Sequence, residues 1–155
     1  MNKNNVIFAI FAMSVIGIAN AHDHSPKVVP EKEYETAQNL GSTGPKETKG
    51  IESVTLLGKV SLADEFETLD NREMRAREII ISPGGVVAVH QHDARPGVAY
   101  IIEGEIVEHR NDAPEPLLRK AGAVAFEKTG VVHWWENRSD KRVRALVVDI
   151  IESKP

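Results

Sequence analysis

The chain has no cysteine among its 155 residues, and aromatic residues make up only 5% of it. A disulfide framework, a thiolate metal site, a thiol nucleophile and a lipid-anchoring cysteine are therefore all excluded. Any chemistry must come from the six histidines, the carboxylates, or a bound metal or cofactor. No long basic run is present, and 23 acidic residues outnumber 19 basic ones, which argues against nucleic acid as a partner. The length and the net charge of −4 suit one small acidic globular domain.

An apolar run long enough to span a bilayer is also missing. Residues 6–18 form an apolar stretch of 13 positions, whereas a membrane-spanning helix needs about 20. Lys3 precedes this stretch and Ala19-Asn20-Ala21 follows it, which is the small-x-small pattern of a secretory cleavage site. We predict a signal peptide over residues 1–21 and a mature protein that is periplasmic or secreted and free of the membrane. An uncleaved membrane anchor is the alternative.

Two regions of different composition follow the predicted signal peptide. Residues 22–50 carry scattered proline and glycine and almost no apolar periodicity, which predicts a flexible N-terminal tether. Residues 51–155 consist of short segments rich in Val, Ile and Ala, separated by turn signals at 82–85, 95–97, 103–105, 111–114, 121–122, 129–130 and 137–140. Segments this short predict an all-β domain, either a sandwich or a small antiparallel barrel.

Three of the six histidines have a spacing that favours a metal site. His90 and His92 follow the apolar run 86–89, and the two-residue period of a strand places both imidazoles on one face. A pair of this kind is often merely solvated or packed against a neighbour. His133 lies at the start of another predicted strand, and this third imidazole favours chelation of one metal ion.

The sequence around the first two histidines resembles the first motif of the cupin superfamily. Gly84 is followed by five residues and then by His90-Gln91-His92, and Gly104 lies twelve positions after His92. The motif contains a metal-binding glutamate between the histidines and the final glycine.

The second cupin motif is matched further along the chain. Gly122 is followed by five residues, Lys128-Thr129-Gly130, two residues, His133, three residues and Asn137. Together the motifs cover 84–137, which is most of the predicted domain. The resemblance implies an antiparallel β-barrel of the jelly-roll type, in which His90, His92 and His133 hold a divalent transition metal inside the barrel mouth.

Two positions depart from the motifs. Lys128 replaces a proline, which should alter only a turn, since the chain can still bend at Gly130. Gly97 occupies the position of the metal-binding glutamate. Asp93 is expected on the opposite face of its strand and Glu103 in a tight turn, so neither is an obvious substitute. The predicted site therefore has three neutral protein ligands.

Three neutral ligands have consequences for what the site binds. They leave the charge of a divalent cation uncompensated and up to three positions open, which favours a small anionic or chelating molecule. Imidazole suits transition metals better than magnesium or calcium, but it does not decide among Fe, Zn, Ni, Cu and Mn. Three-histidine cupin sites resemble those of certain iron dioxygenases, which implies a metal-dependent oxidoreductase. The alternatives are a non-catalytic ligand-binding or sensing cupin and a periplasmic metal-handling protein.

Three further residues are predicted to contact the small molecule. Strand alternation places Trp135 and Asn137 on the face of His133, and Arg95 lies in the loop after His92, where a guanidinium can pair with a carboxylate. A core role for Trp135 and a solvated Arg95 are the open alternatives.

The same alternation predicts the lining of the barrel. Val86 and Ala88 should face inward with the histidines, and so should Ala99 and Ile101, whereas Tyr100 should face outward. These small apolar residues predict a narrow, dry cavity.

Two expectations concern other parts of the molecule. Cleavage after Ala21 would leave His22-Asp23-His24 as the amino terminus, which is either a copper or nickel chelate or an incidental polar start. The cupin resemblance also implies a homodimer formed through sheet edges.

Overall fold

The computed structural model describes residues 27–153, so the predicted signal peptide, His22 and His24 lie outside the described residues. Within this range the chain forms nine strands and one helix. In chain order they are β1 (Lys27–Val28), α1 (Glu31–Asn39), β2 (Glu47–Ser61), β3 (Arg72–Gln91), β4 (Gly97–Glu103), β5 (Glu105–Arg110), β6 (Leu117–Lys120), β7 (Val124–Glu127), β8 (Val132–Glu136) and β9 (Val143–Glu152). No helix of residues 27–153 combines the length and apolarity that crossing a membrane requires.

The strands pair antiparallel into a nearly closed barrel, which confirms the all-β prediction. Their order in the sheet is β6-β5-β8-β3-β9-β4-β7, and β2 pairs with β3 off this path. On β9 the buried positions alternate, as expected for a strand with one face toward a core. The main core contains Ile81, Ala99, Ile101 and Trp135, and Tyr100 is exposed, so the predicted alternation on β4 is confirmed.

β3 is twenty residues long and continues through a predicted turn. It pairs with β9 up to Ile81 and with β8 from Val86 onward. Residues 82–85, which were predicted to separate two segments, instead bend the strand where it changes partner. Gly84 adopts a φ of +71°, a backbone conformation that glycine reaches without steric cost.

A β-bulge in β3 changes which side chains face inward. Val87 pairs with Trp135 and His90 pairs with His133, so β3 advances three residues while β8 advances two. The extra residue reverses the alternation between Val87 and His90. As a result Val87 packs against the main core, and the prediction that Val86 shares the inward face of His90 is wrong.

The described part of the segment predicted as a flexible tether carries regular structure. β1 pairs with β2, and β2 itself begins at Glu47. Ala37 of α1 has no exposed surface and packs with Val89 and Val132 in a second apolar cluster. Tyr34 is a partly buried member of the same cluster. The helix was not predicted from the sequence because its apolar face is small and most of its other residues are charged or polar.

Candidate metal centre

The turn before β8 places His133 at the barrel mouth. Lys128, which replaces the motif's proline, leaves this turn intact, because Val131 N donates to Lys128 O at 3.0 Å. Gly130 takes a φ of +82°. His133 then lies directly opposite His90 in the β3–β8 ladder, and His92 follows the end of β3.

The three histidines converge through their Nε2 atoms. The Nε2 of His133 lies 2.9 Å from that of His92 and 3.0 Å from that of His90. Two ligand nitrogens at right angles on one cation, with bonds of about 2.1 Å, would be about 3.0 Å apart. The cluster predicted from the sequence is therefore brought together, with a spacing compatible with one divalent metal ion.

The other ring nitrogen of each histidine has an acceptor. The Nδ1–H groups donate to Ala88 O from His90 (2.8 Å), to Arg95 O from His92 (3.1 Å) and to Glu108 Oε1 from His133 (2.7 Å). Carbonyl and carboxylate oxygens only accept, so each neutral ring carries its proton on Nδ1 and a lone pair on Nε2. The three lone pairs point at one another without a proton between them, an arrangement that a cation would stabilise.

Burial keeps the rings in this neutral form. It lowers the pKa of His90 well below its usual value, with a further contribution from the neighbouring His133. It lowers the pKa of His92 to about 3. The pKa of His133 is also lowered by burial, although the Glu108 carboxylate opposes the shift. All three rings are thus available as ligands at neutral pH.

Glu108 orients His133 from behind. Its side chain is fully buried on β5 and accepts hydrogen bonds from Arg110 Nη1 at 3.0 Å and Arg119 Nε at 2.8 Å, in addition to the one from His133. Burial alone would raise the pKa of Glu108, but these donors more than offset it and hold the pKa below its usual value. A carboxylate that fixes the tautomer and orientation of a ligating histidine is a common feature of metal sites. Sequence reasoning missed Glu108 because it lies outside both motifs.

A second carboxylate that sequence reasoning missed lies beside the histidines. Glu127, the last residue of β7, has one oxygen 3.7 Å from His133 Nε2 and the other 3.6 Å from His92 Nδ1. It is only 5% exposed, and burial raises its pKa to about 7. Only the pairing of β4 with β7 could have identified Glu127, since it places this residue opposite Gly97, the position of the motif's glutamate.

His90 and His92 line a cavity of about 450 Å³. Arg95 and Trp135 line it, and Trp135 also belongs to the main core and packs edge-on against His133 at 5.3 Å between ring centroids. Charged side chains line the cavity too, among them Arg77 and Asp149, so the prediction of a purely apolar lining is wrong.

Asn137 does not line this cavity. Its Nδ2 donates to Ile81 O, Ser82 O and Lys141 O, and its Oδ1 accepts from the backbone and side chain of Ser139. The alternation that turns Asn137 inward also carries it past the end of β8. Its amide therefore holds neighbouring turns together instead of reaching a ligand.

Arg77 presents an unpaired donor in the cavity wall. Its Nη2 donates to Asp149 Oδ2 at 3.0 Å, and Arg75 binds both oxygens of the same carboxylate. The buried Nε of Arg77 has no hydrogen-bond partner among residues 27–153. A buried donor without a partner is costly, and an acceptor entering the cavity would stabilise it.

Comparisons with known proteins agree with this architecture. The family model described as Cupin domain matches residues 77–149. The "Oxalate-binding protein" of Thermotoga maritima is 32% identical over 96 residues, which cover 61% of this chain and 78% of the relative.

Solved structures show the same fold. A crystal structure described as a predicted oxalate decarboxylase from Thermotoga maritima covers 83% of this chain and 94% of its own, with 23% identity and a TM-score of 0.51. A protein from Thermus thermophilus covers 76% of this chain and 94% of its own, with 24% identity and a TM-score of 0.51.

Proposed function

Because the chain belongs to the cupin superfamily, we propose that it binds a divalent transition metal through His90, His92 and His133 and uses that metal to bind a small carboxylate anion. The observation that carries this proposal is the convergence of three Nε2 lone pairs at 2.9 and 3.0 Å. Each is directed by an acceptor at Nδ1, so the cluster is preorganised for a cation.

The charges of the cavity explain why an anion would need the metal. Two arginines and three carboxylates line it: Arg77, Arg95, Glu33, Glu127 and Asp149. With neutral histidines, a divalent cation changes the formal charge of the lining from −1 to +1. When bound, the metal supplies positive charge and open positions that carboxylate oxygens can occupy. The similarity to an oxalate-binding protein supports a short dicarboxylate as the ligand.

The arginines supply a second contact for such a ligand. Arg95 lies beside His92, and within residues 27–153 its Nη2 donates only to a backbone carbonyl, Gln91 O, at 3.2 Å. Arg77 contributes the unpaired Nε. We propose that these groups hold the carboxylate that is not on the metal, since guanidinium donors match carboxylate geometry.

Calorimetric titration with oxalate tests this function directly. The purified protein is stripped with a chelator and titrated before and after reloading with Mn²⁺, Co²⁺ or Zn²⁺, and Arg95→Met is compared with an exposed control, Arg138→Met. We expect oxalate binding only in a metal-loaded form, weakened at least about tenfold by Arg95→Met, since a hydrogen bond to a charged group contributes about 1.5–3 kcal/mol. Equal oxalate binding without metal, or none with any of the three metals, would contradict the proposal.

A dioxygenase-like reaction is the second candidate, because a three-histidine site leaves positions for both a chelating substrate and oxygen. It predicts oxygen consumption by the Fe²⁺-loaded protein with a catechol or β-diketone, measured with an oxygen electrode. Consumption no faster than that of His133→Ala would leave anion binding as the function.

We further propose that the protein is exported and forms a homodimer. β2 exposes Val54, Leu56, Leu57 and Val60, and within the described residues it pairs only with β1 and β3. An exposed apolar strand edge favours association with a second copy. Osmotic-shock fractionation tests export, and sedimentation equilibrium tests the dimer, which Leu57→Lys should weaken. Cytoplasmic retention or a monomeric wild type would refute the respective proposal.

A further inference from the structure

Three carboxylates are buried close to the histidine cluster, and two of them are saturated with donors. Glu108 accepts from one histidine and two arginines, and Asp149 accepts from Arg75 and Arg77. Glu127 is 5% exposed, yet its carboxylate accepts no hydrogen bond within residues 27–153, and the neutral imidazoles of His92 and His133 lie 3.6 and 3.7 Å from its oxygens. A buried ionised carboxylate without donors is unfavourable, so it either takes up a proton or pairs with a cation.

The place of Glu127 in the sheet relates it to the residue that is missing from the first motif. Gly97 occupies the position of the motif's glutamate, and Glu127 is its partner on the adjacent strand. A Cβ added at Gly97 would lie 2.6 Å from Val148 O and 2.9 Å from Asp149 Cβ. The first of these contacts is with backbone, so β4 cannot carry a side chain at this point without moving β9.

We propose that Glu127 is a fourth protein ligand, supplied by β7 in place of the glutamate that β4 lacks. This inference rests on the proposed metal binding. One Glu127 oxygen lies 3.7 Å from His133 Nε2, the atom shared by both short nitrogen–nitrogen contacts, and the carboxylate adjoins the group of three histidines whose ligand atoms all lie within 4.8 Å of one another.

A carboxylate ligand changes what the site can accept. Three imidazoles and one carboxylate cancel one positive charge of a divalent cation and leave up to two of six positions open. Two adjacent open positions suit a short dicarboxylate that binds through two oxygens. Glu127 would thus select chelating anions over ligands that need three positions.

Metal titration of two Glu127 variants tests the assignment. Glu127→Gln keeps the shape and removes the charge, and Glu127→Ala removes the ligand atoms. Glu115→Gln, at an exposed position in the turn before β6, is the matched control. Mn²⁺ affinity is measured by calorimetry, and the visible absorption of the Co²⁺-loaded protein reports the ligand set. Thermal unfolding of each metal-free variant checks that it folds.

The outcomes separate this inference from the proposed function. We expect Mn²⁺ affinity to fall at least about tenfold in both variants, with an altered Co²⁺ spectrum and wild-type behaviour in Glu115→Gln. If the wild type binds metal and both variants match its affinity and spectrum, Glu127 is not a ligand, while the three-histidine site stands. If the wild type itself binds no metal, the proposed function fails together with this inference.

Discussion

Replacing Glu108 by glutamine tests whether its carboxylate orients His133 and stabilises the fold. The wild-type carboxylate accepts three hydrogen bonds at 2.7, 3.0 and 2.8 Å from His133, Arg110 and Arg119. A glutamine offers one acceptor oxygen and presents an NH₂ group where the second oxygen stood. If that oxygen keeps its bonds to His133 and Arg110, the amide nitrogen faces the Arg119 guanidinium.

The size of the effect follows from the burial of this cluster. A hydrogen bond to a charged group contributes about 1.5–3 kcal/mol, and removing one partner of a buried ion pair costs about 3–5 kcal/mol. Arg119 retains some solvent contact, with a side chain that is 24% exposed, which reduces its share. We therefore expect the free energy of unfolding to fall by about 3 kcal/mol, and the melting temperature of the metal-free protein to fall by roughly 6–12 °C.

Metal affinity should fall as well, because His133 loses the charge that fixes its orientation. Loss of such a supporting carboxylate typically weakens metal binding by about 10–100-fold. Chemical denaturation and metal titration measure the two effects, with Glu105→Gln on the same strand as the control, since its contact with Lys120 is a long, exposed one of 3.8 Å. Wild-type stability together with wild-type metal affinity in Glu108→Gln would refute the supporting role.

Three other predictions follow from burial and close packing. The metal-free protein should lose stability below pH 6.5, because the three histidines have a lower pKa folded than unfolded, each contributing up to about 1.4 kcal/mol per pH unit. The raised pKa of Glu127 stabilises the folded state as the pH falls from about 7 to 4.5, but this is one group against three histidines. Chemical denaturation at pH values from 7 to 4 measures the net change in the free energy of unfolding. A free energy of unfolding that does not change over this range would contradict the prediction. Ala37→Asp should detach α1 from the barrel, seen as rapid hydrogen exchange of the helix amides alone, and unchanged protection would refute the packing. Gly97→Ala should lower the free energy of unfolding, measured in denaturant, by about 1–3 kcal/mol, because the added Cβ would lie 2.6 Å from Val148 O. Wild-type stability would contradict this prediction, since it would mean that β9 moves aside at no cost.

The sequence predicted the parts of the centre that depend on local spacing. His90 and His92 are two residues apart, at the end of β3 and just beyond it, and the second motif placed His133 on β8, which pairs with β3. The short Val- and Ile-rich segments likewise predicted the barrel. These features need only the strand period and the positions of the turns.

Features that depend on pairing between distant strands were not predictable in this way. Glu127 meets the histidines because β7 pairs with β4, and Glu108 does so because β5 pairs with β8. The bulge between Val87 and His90 reversed an alternation that was assumed to be regular. Asn137 was predicted to contact the ligand because it shares a strand face with His133, but it lies beyond the end of β8. Strand alternation predicts which face a side chain is on, and it does not predict how far along the barrel the side chain lies.

The metal content of the purified protein shows directly whether His90, His92 and His133 bind a metal ion. Inductively coupled plasma mass spectrometry, combined with titration of any protein stripped during purification, gives the number of ions for each chain. We expect one tightly bound transition metal ion in the wild type and none in His90→Ala or His133→Ala, both still folded by circular dichroism. A wild type that binds no transition metal, or a His133→Ala variant that retains a full equivalent, would contradict this expectation.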